Sequence, residues 1–239
     1  MTKGIDISYC QKKIDWTKVN VDFCIIRAGY GRYASQKDNM FESHYAGAKS
    51  RGIPVGVYWY SYAKTPEDAV KEADACLAVI KGKQYEFPIF YDVEEADVLA
   101  LGKAKVSAII KAFLERVEAA GYWVGLYGSY SMLTTVVDES IRTRYSIWLA
   151  HWDVKKSPYS GAYGVWQYGI GKLDGVTGDV DLDYCYVDYP AKIKERGLNG
   201  FEKPPSTPAE PEEPVKQTKE VTLIIDGETW KGTLTKEGN

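Results

Sequence analysis

Histidine is nearly missing from this chain. Its 239 residues hold only His44 and His151, in no HExxH or other paired spacing. That argues against histidine-based zinc hydrolysis and against a Ser-His-Asp triad. Cysteine is scarce too: Cys10, Cys24, Cys76 and Cys185 are scattered, with no CxxC pair, so neither a zinc site nor a redox motif is indicated. They read as mostly buried free thiols. No metal and no cofactor is expected. A formal net charge of −3 offers no basic footprint for nucleic acid. No run of about 18 apolar residues is present, so no transmembrane helix is expected. The opening "MTKGIDISYC" lacks the apolar segment of a secretory signal. The chain is therefore expected to be made in the cytoplasm and to leave by a route the sequence does not show. An enzyme with this composition would move protons with carboxylates.

What is abundant is aromatic: nineteen Tyr and seven Trp. Many sit in strand-like runs such as "VYWYSYA", "WVGLYGSYS", "IWLAHW" and "VWQYG". Flat apolar faces with a polar tip suit both core packing and sugar rings. Eight strand candidates follow from β-branched and aromatic enrichment with flanking Gly or Pro. They are 4–8, 23–29, 54–60, 87–94, 122–128, 145–150, 163–169 and 180–186. Helical patterns lie between the earlier ones, over 39–52, 65–82 and 103–121. Thr65 reads as an N-cap with Pro66 at the first helical position, and Gly121 as a helix stop. Strands alternating with helices predict a parallel sheet covered on its faces. The last strands are too closely spaced for full crossover helices. The expectation is an irregular α/β barrel over residues 1–200, with fewer helices than a full (β/α)₈ barrel.

Residues 201–219 read as a Pro/Glu-rich extended linker, since "EKPPSTPAEPEEPVKQTK" holds five of the chain's ten prolines. Residues 220–239 carry two β-like runs around Asp226-Gly227, the signature of a hairpin. A lone hairpin is marginal in water. It should pair with another copy, dock on the main domain, or begin something larger.

The stretch "FPIFYDVEE" ends in two acids two apart, Asp92 and Glu94. In a strand they would share a face, roughly 6.5–7 Å apart. Like charges that close raise one pKa, which serves a site needing an acid beside a second carboxylate. Asp6 lies late in the first strand, and Asp181 and Asp183 lie in the eighth. In a barrel these acids converge on the mouth at the strand C-termini. Glu95 and Asp97 read as solvated loop charges. Asp6 could instead pair with Arg27, and Trp148, sharing a face with Ala150 and Trp152, could be either core or a sugar platform.

In that order, "GIDIS", "YDVE" and "GDVDLD" resemble the signature of glycoside hydrolase family 25, the lysozymes of bacteria, their phages and some fungi. "IIRAGYG", "GVYWYSYA", "YSIWLAHW" and "VWQYG" match its strand pattern, so the resemblance covers residues 1 to about 197. It implies an irregular α/β barrel that cleaves the β-1,4 bond from N-acetylmuramic acid to N-acetylglucosamine in peptidoglycan. It also implies roles: Glu94 as general acid, Asp92 as the carboxylate assisting the substrate's acetamido group or steadying the cationic transition state, and Asp6 and Asp181 as further acids on the groove floor. Tyr60, Tyr127, Trp148 and Gln167 match positions near the groove. Asp183 stands where the family more often has Asn, so the resemblance assigns it no role. Ionised Asp92 is expected to keep Glu94 protonated. A non-catalytic wall-binding barrel assembled through its hairpin is the alternative reading, though a binder has no need for the Asp92–Glu94 pair. A chitin-directed enzyme is disfavoured, because only one Asp precedes the Glu. Peptidoglycan is the expected partner, with neither nucleic acid nor membrane, and residues 220–239 are a candidate oligomerisation element. An endolysin of this kind would reach the wall through a holin-type pore.

Overall fold

A computed structural model describes residues 1–204 and 218–235, which fall into two units, Met1–Pro204 and the part of Pro205–Asn239 that is described. The first unit is a closed eight-stranded barrel in the order β1 to β8. Its strands are β1 (Thr2–Ile7), β2 (Phe23–Tyr30), β3 (Val55–Tyr60), β4 (Ile89–Asp92), β5 (Val124–Ser129), β6 (Ser146–Ala150), β7 (Val165–Gly171) and β8 (Val180–Cys185). From β1 to β7 every neighbouring pair is parallel. β8 departs from the expected parallel sheet, running antiparallel to both β7 and β1. The reason is chain length: only residues 172–179 join β7 to β8, too few for the crossover a parallel pair requires. The consequence matters for the site. Because β8 runs the other way, its first residues, not its last, lie at the mouth formed by the C-terminal ends of β1–β7.

Three long helices wrap one side: α1 (Phe41–Ser50), α2 (Pro66–Ile80) and α4 (Lys103–Glu118). α2 begins as its sequence dictates, with the Thr65 hydroxyl accepting from the Asp68 N–H at 3.2 Å and Pro66 next. After α4 the chain turns at Gly121, whose φ of 87° an L side chain rarely adopts. α3 (Ala96–Leu99), α5 (Tyr130–Thr135) and α6 (Glu139–Arg144) are one to two turns long, and α7 (Tyr189–Arg196) follows β8. β6 and β7 are joined by residues 151–164 without a helix.

Two apolar clusters hold the unit together. One lies between strands and helices, with Trp59, Tyr91 and Phe113 among its buried members. The other includes Phe23, Ile25, Phe90, Trp148 and Val165, alternate residues of their strands. Trp148 is its hub, with ring centres of Tyr127, Phe90 and Tyr58 at 4.6, 5.2 and 5.9 Å. A Cβ at Gly4 would come within 2.4 Å of the Phe23 ring, so β1 needs glycine there. This aromatic plug makes the barrel a packed core with a floor rather than a pore.

The second unit, over its described residues, is an antiparallel hairpin of β9 (Thr218–Ile225) and β10 (Glu228–Thr235), turning at Asp226-Gly227. Most of the expected linker, residues 205–217, and the last four residues lie outside the described residues.

Candidate active site

The catalytic candidates are built on strand ends. β4 stops at Asp92, the last residue of its ladders, paired with Tyr60 of β3 and Tyr127 of β5. Asp92 is 4% exposed and its Oδ1 has no hydrogen-bond partner among the described residues. Glu94 lies past the strand, exposed at the rim, and Glu95 opens α3. The two acids are therefore not ladder neighbours on one strand face as the spacing predicted. One is embedded at the end of the ladder and the other stands free above it. Asp6 of β1 is paired in register with Asp181 of β8, so the reversed direction of β8 brings Asp181 to the same mouth. Asp183, two residues deeper, is 0% exposed.

These carboxylates raise one another's pKa values. Asp92 is held well above the usual carboxylate range, first by burial and then by the Glu94 charge, with Arg27 pulling the other way. Glu94 is raised too, by desolvation, then by Glu95 and Asp181, while Tyr60 opposes the shift. The shift is therefore not confined to Glu94: both acids are raised in the free protein, Asp92 first of all by its burial. Asp6 is raised well above its usual range by burial, then by Asp183 and Asp181. Asp183 is pushed up to about 8 by burial.

A hydrogen-bond relay fixes Asp6. Gln167 Nε2 donates to Asp6 Oδ2 at 2.8 Å. Gln167 Oε1 accepts from Tyr127 Oη at 2.9 Å and from Trp152 Nε1 at 3.0 Å. Gln167 is itself 4% exposed, so it positions its neighbours rather than presenting itself to the groove. Trp148 is corrected in the same sense. It is 1% exposed and its Nε1 donates to Asp183 Oδ1 at 2.8 Å, so it is the floor and offers no face to a sugar. The tryptophan at the surface is Trp152, 44% exposed, beside a groove of about 430 Å³ with Tyr127, Tyr130 and His151. Tyr60 lines a second cavity, and its Oη donates to Glu95 Oε1 at 2.8 Å. Glu95, read from sequence as a solvated charge, is therefore part of the acid cluster, whereas Asp97 pairs with Lys64 outside it. Asp6 does not pair with Arg27, which binds Asp38 instead. Among the described residues no group of three or more His, Cys, Asp or Glu side chains is placed to hold a metal ion.

The Asp183 proton has a measurable consequence. Its folded pKa of about 8 lies above the ordinary carboxylate value of 3.8. The folded state therefore carries an extra proton between those pH values, and this group's contribution to stability falls as pH rises through that window. Asp183→Asn keeps an acceptor for Trp148 and removes the titration. The variant should match the wild-type melting temperature near pH 4 and exceed it by on the order of 5 °C at pH 8. Parallel melting curves across the range would place the proton elsewhere.

Comparison with known proteins gives the family. The description of Glycosyl hydrolases family 25 matches residues 5–175. The chain belongs to glycosyl hydrolase family 25. It is 27% identical over 187 residues to an autolytic lysozyme of Clostridium acetobutylicum, covering 76% of this chain and 55% of that protein. Among solved structures, the modular autolysin LytC of Streptococcus pneumoniae, in complex with a synthetic peptidoglycan ligand, superposes with a TM-score of 0.69 at 28% identity, over 77% of this chain and 46% of that one. The catalytic domain of endolysin ply40, from bacteriophage P40 of Listeria monocytogenes, does so with 0.67 at 26% identity, over 81% of this chain and 97% of that one. The chain thus spans about half the length of that clostridial relative.

Proposed function

We propose that this family 25 barrel is an N-acetylmuramidase, hydrolysing the β-1,4 bond between N-acetylmuramic acid and N-acetylglucosamine in bacterial peptidoglycan. The observation that carries it is the pairing of exposed Glu94 with buried Asp92, whose Oδ1 is unpartnered, at a mouth also holding Asp6 and Asp181. A buried acceptor without a partner is costly and marks a group awaiting one. Glu94 protonates the leaving glycosidic oxygen. The substrate's own 2-acetamido oxygen attacks the anomeric carbon from the other face as that bond breaks, giving a cyclic oxazolinium ion. Asp92, having given its proton to solvent, accepts the acetamido N–H as a carboxylate and balances the positive charge that develops there. Water then opens the ring at the anomeric carbon, giving its proton to Glu94, which restores the acid. Two displacements return the original configuration, so NMR taken early in hydrolysis should show the β-anomer first. An α-anomer first would replace this route by direct attack of water. Tyr60 and Tyr127 line the groove on either side, and Trp152 is the platform proposed for a more distant sugar.

The hairpin suggests how the enzyme gains avidity. The register places Val221, Leu223, Ile225, Trp230 and Leu234 on one face and mainly Thr, Glu and Lys on the other. Leu223 is 56% exposed, Trp230 60% and Leu234 62%. We assign this face to a second copy of the same hairpin, which would let several barrels engage one wall. Sedimentation should give a multiple of 26.8 kDa for the wild type and a monomer for Trp230→Lys. A monomeric wild type would remove the assignment. Access to the wall is assigned to a separate holin-type pore. Among the described residues no helix is long and apolar enough to cross a membrane.

A further inference from the structure

The motif "IIRAGYG" is absorbed by neither the acid cluster nor the strand ladders, and its arginine is unusually well held. Arg27 sits near the end of β2, its side chain 17% exposed, with Nε donating to Asp38 Oδ2 at 2.8 Å. Asp38 has no exposed side-chain surface, and both its oxygens are engaged, since Oδ2 also accepts from the Tyr9 N–H at 3.0 Å and Oδ1 from the Met40 N–H at 2.8 Å. The guanidinium carbon lies 4.6 Å from the Tyr9 ring centre and 5.8 Å from that of Tyr30. Its plane and direction are therefore set from three sides. Among the described residues, Nε is the only Arg27 side-chain nitrogen with a protein hydrogen-bond partner. The terminal nitrogens remain as a preformed two-pronged donor.

That donor belongs to a cavity of about 620 Å³ whose lining also includes Tyr9, Tyr30, Lys37, Tyr60 and Tyr62. Lys37 is committed to Glu42 at 3.1 Å. Tyr60 joins this cavity to the acid cluster through Glu95, and the Arg27 charge is close enough to oppose the upward shift of Asp92. The rest of the mouth is lined by acids: Glu94, Glu95 and Asp181 face it, above the buried Asp6 and Asp92. Such a surface repels any acidic group on a substrate, except where a fixed cation receives it. A planar guanidinium fork matches a carboxylate in two parallel bonds, and tyrosine rings flank it with apolar surface for a methyl or a sugar face.

We propose that the Arg27 cavity is a carboxylate-binding subsite that selects glycan strands bearing acidic substituents next to the cleaved bond. The inference rests on the muramidase reading and adds the residue that would recognise the substrate's acid. Two sources share this chemistry: the lactyl carboxylate of muramic acid, free where its peptide is missing, and a carboxylate of the attached peptide.

The test compares purified glycan strands with the same strands after their carboxylates are capped as amides. Full-length wild type should lose about tenfold in kcat/KM on capped strands, mostly through KM. Arg27→Gln should cleave both strands alike, whatever its absolute rate. Arg27→Lys, which keeps the charge and loses the fork, should recover part of the preference, and melting curves of both variants establish that they are folded. Stripping the peptides first separates the sources: a preference that survives assigns the lactyl carboxylate, and one that disappears assigns the peptide. A wild type that cleaves capped and uncapped strands equally overturns this inference alone. So does a folded Arg27→Gln that keeps the preference. A wild type that cleaves neither strand overturns the muramidase reading and this one with it.

Discussion

Glu94→Gln should lower turnover on cell walls by about 10²–10⁴-fold while the protein melts at the same temperature or higher. The size follows from the removed step: glutamine occupies the same space and has no proton to give the leaving oxygen. The stability follows from the surroundings. Glu94 is exposed at the rim, and its carboxylate is crowded by Glu95 and Asp181, so losing the charge relieves repulsion. A residue that weakens the fold and is needed for chemistry is the pattern expected at an active site. The pH profile should carry the same signature. Glu94 is raised above the usual carboxylate range, so the acid form survives to higher pH, and the falling limb of kcat/KM should lie above the ordinary glutamate pKa of about 4.3. Near-normal turnover by folded Glu94→Gln would move the acid role to another residue.

Asp92→Asn should cost about 10²–10³-fold, and the loss should fall on kcat with little change in KM. The reason is which state the substitution imitates. In the free protein burial raises Asp92 well above its usual pKa, and asparagine imitates its neutral form. It cannot become negative when the acetamido group turns cationic, so the stabilisation is missing only in the transition state. The fold should gain, because a buried carboxyl pressed by Glu94 has been replaced by a neutral group. Initial rates over a range of strand concentrations, with melting curves, measure both effects. An increase in KM with kcat intact would make Asp92 a binding group only.

Much of this was legible in the sequence, and the exceptions have physical causes. All eight strands were readable because each is a short aromatic or β-branched run bounded by Gly, Pro or charge. The long helices announced themselves through Thr65-Pro66 and Gly121. The direction of β8 was not readable, because side-chain alternation is the same for parallel and antiparallel strands; only the shortness of 172–179 hinted at it. Asp92 and Glu94 are two apart in the chain, but whether a ladder extends to the second depends on where the neighbouring strands stop, and they stop at Tyr60 and Tyr127. Trp148 and Trp152 looked alike for a similar reason. β6 ends at Ala150, so Trp148 points into the plug while Trp152, past the end, reaches the surface. The Arg27–Asp38 pair spans a strand and the turn before α1, and single-residue patterns hold no information on such a meeting. Glu95 was read as one more loop acid because Tyr60, its partner, is 35 residues away.

The central claim is that Glu94 delivers the proton that cleaves the muramic acid–glucosamine bond. It is tested most directly by incubating purified walls with wild type and with Glu94→Gln, following turbidity, and identifying the new reducing ends by mass spectrometry. The account predicts clearing by the wild type alone, with N-acetylmuramic acid at every new reducing end. Equal clearing by both proteins, or N-acetylglucosamine at those ends, would contradict it.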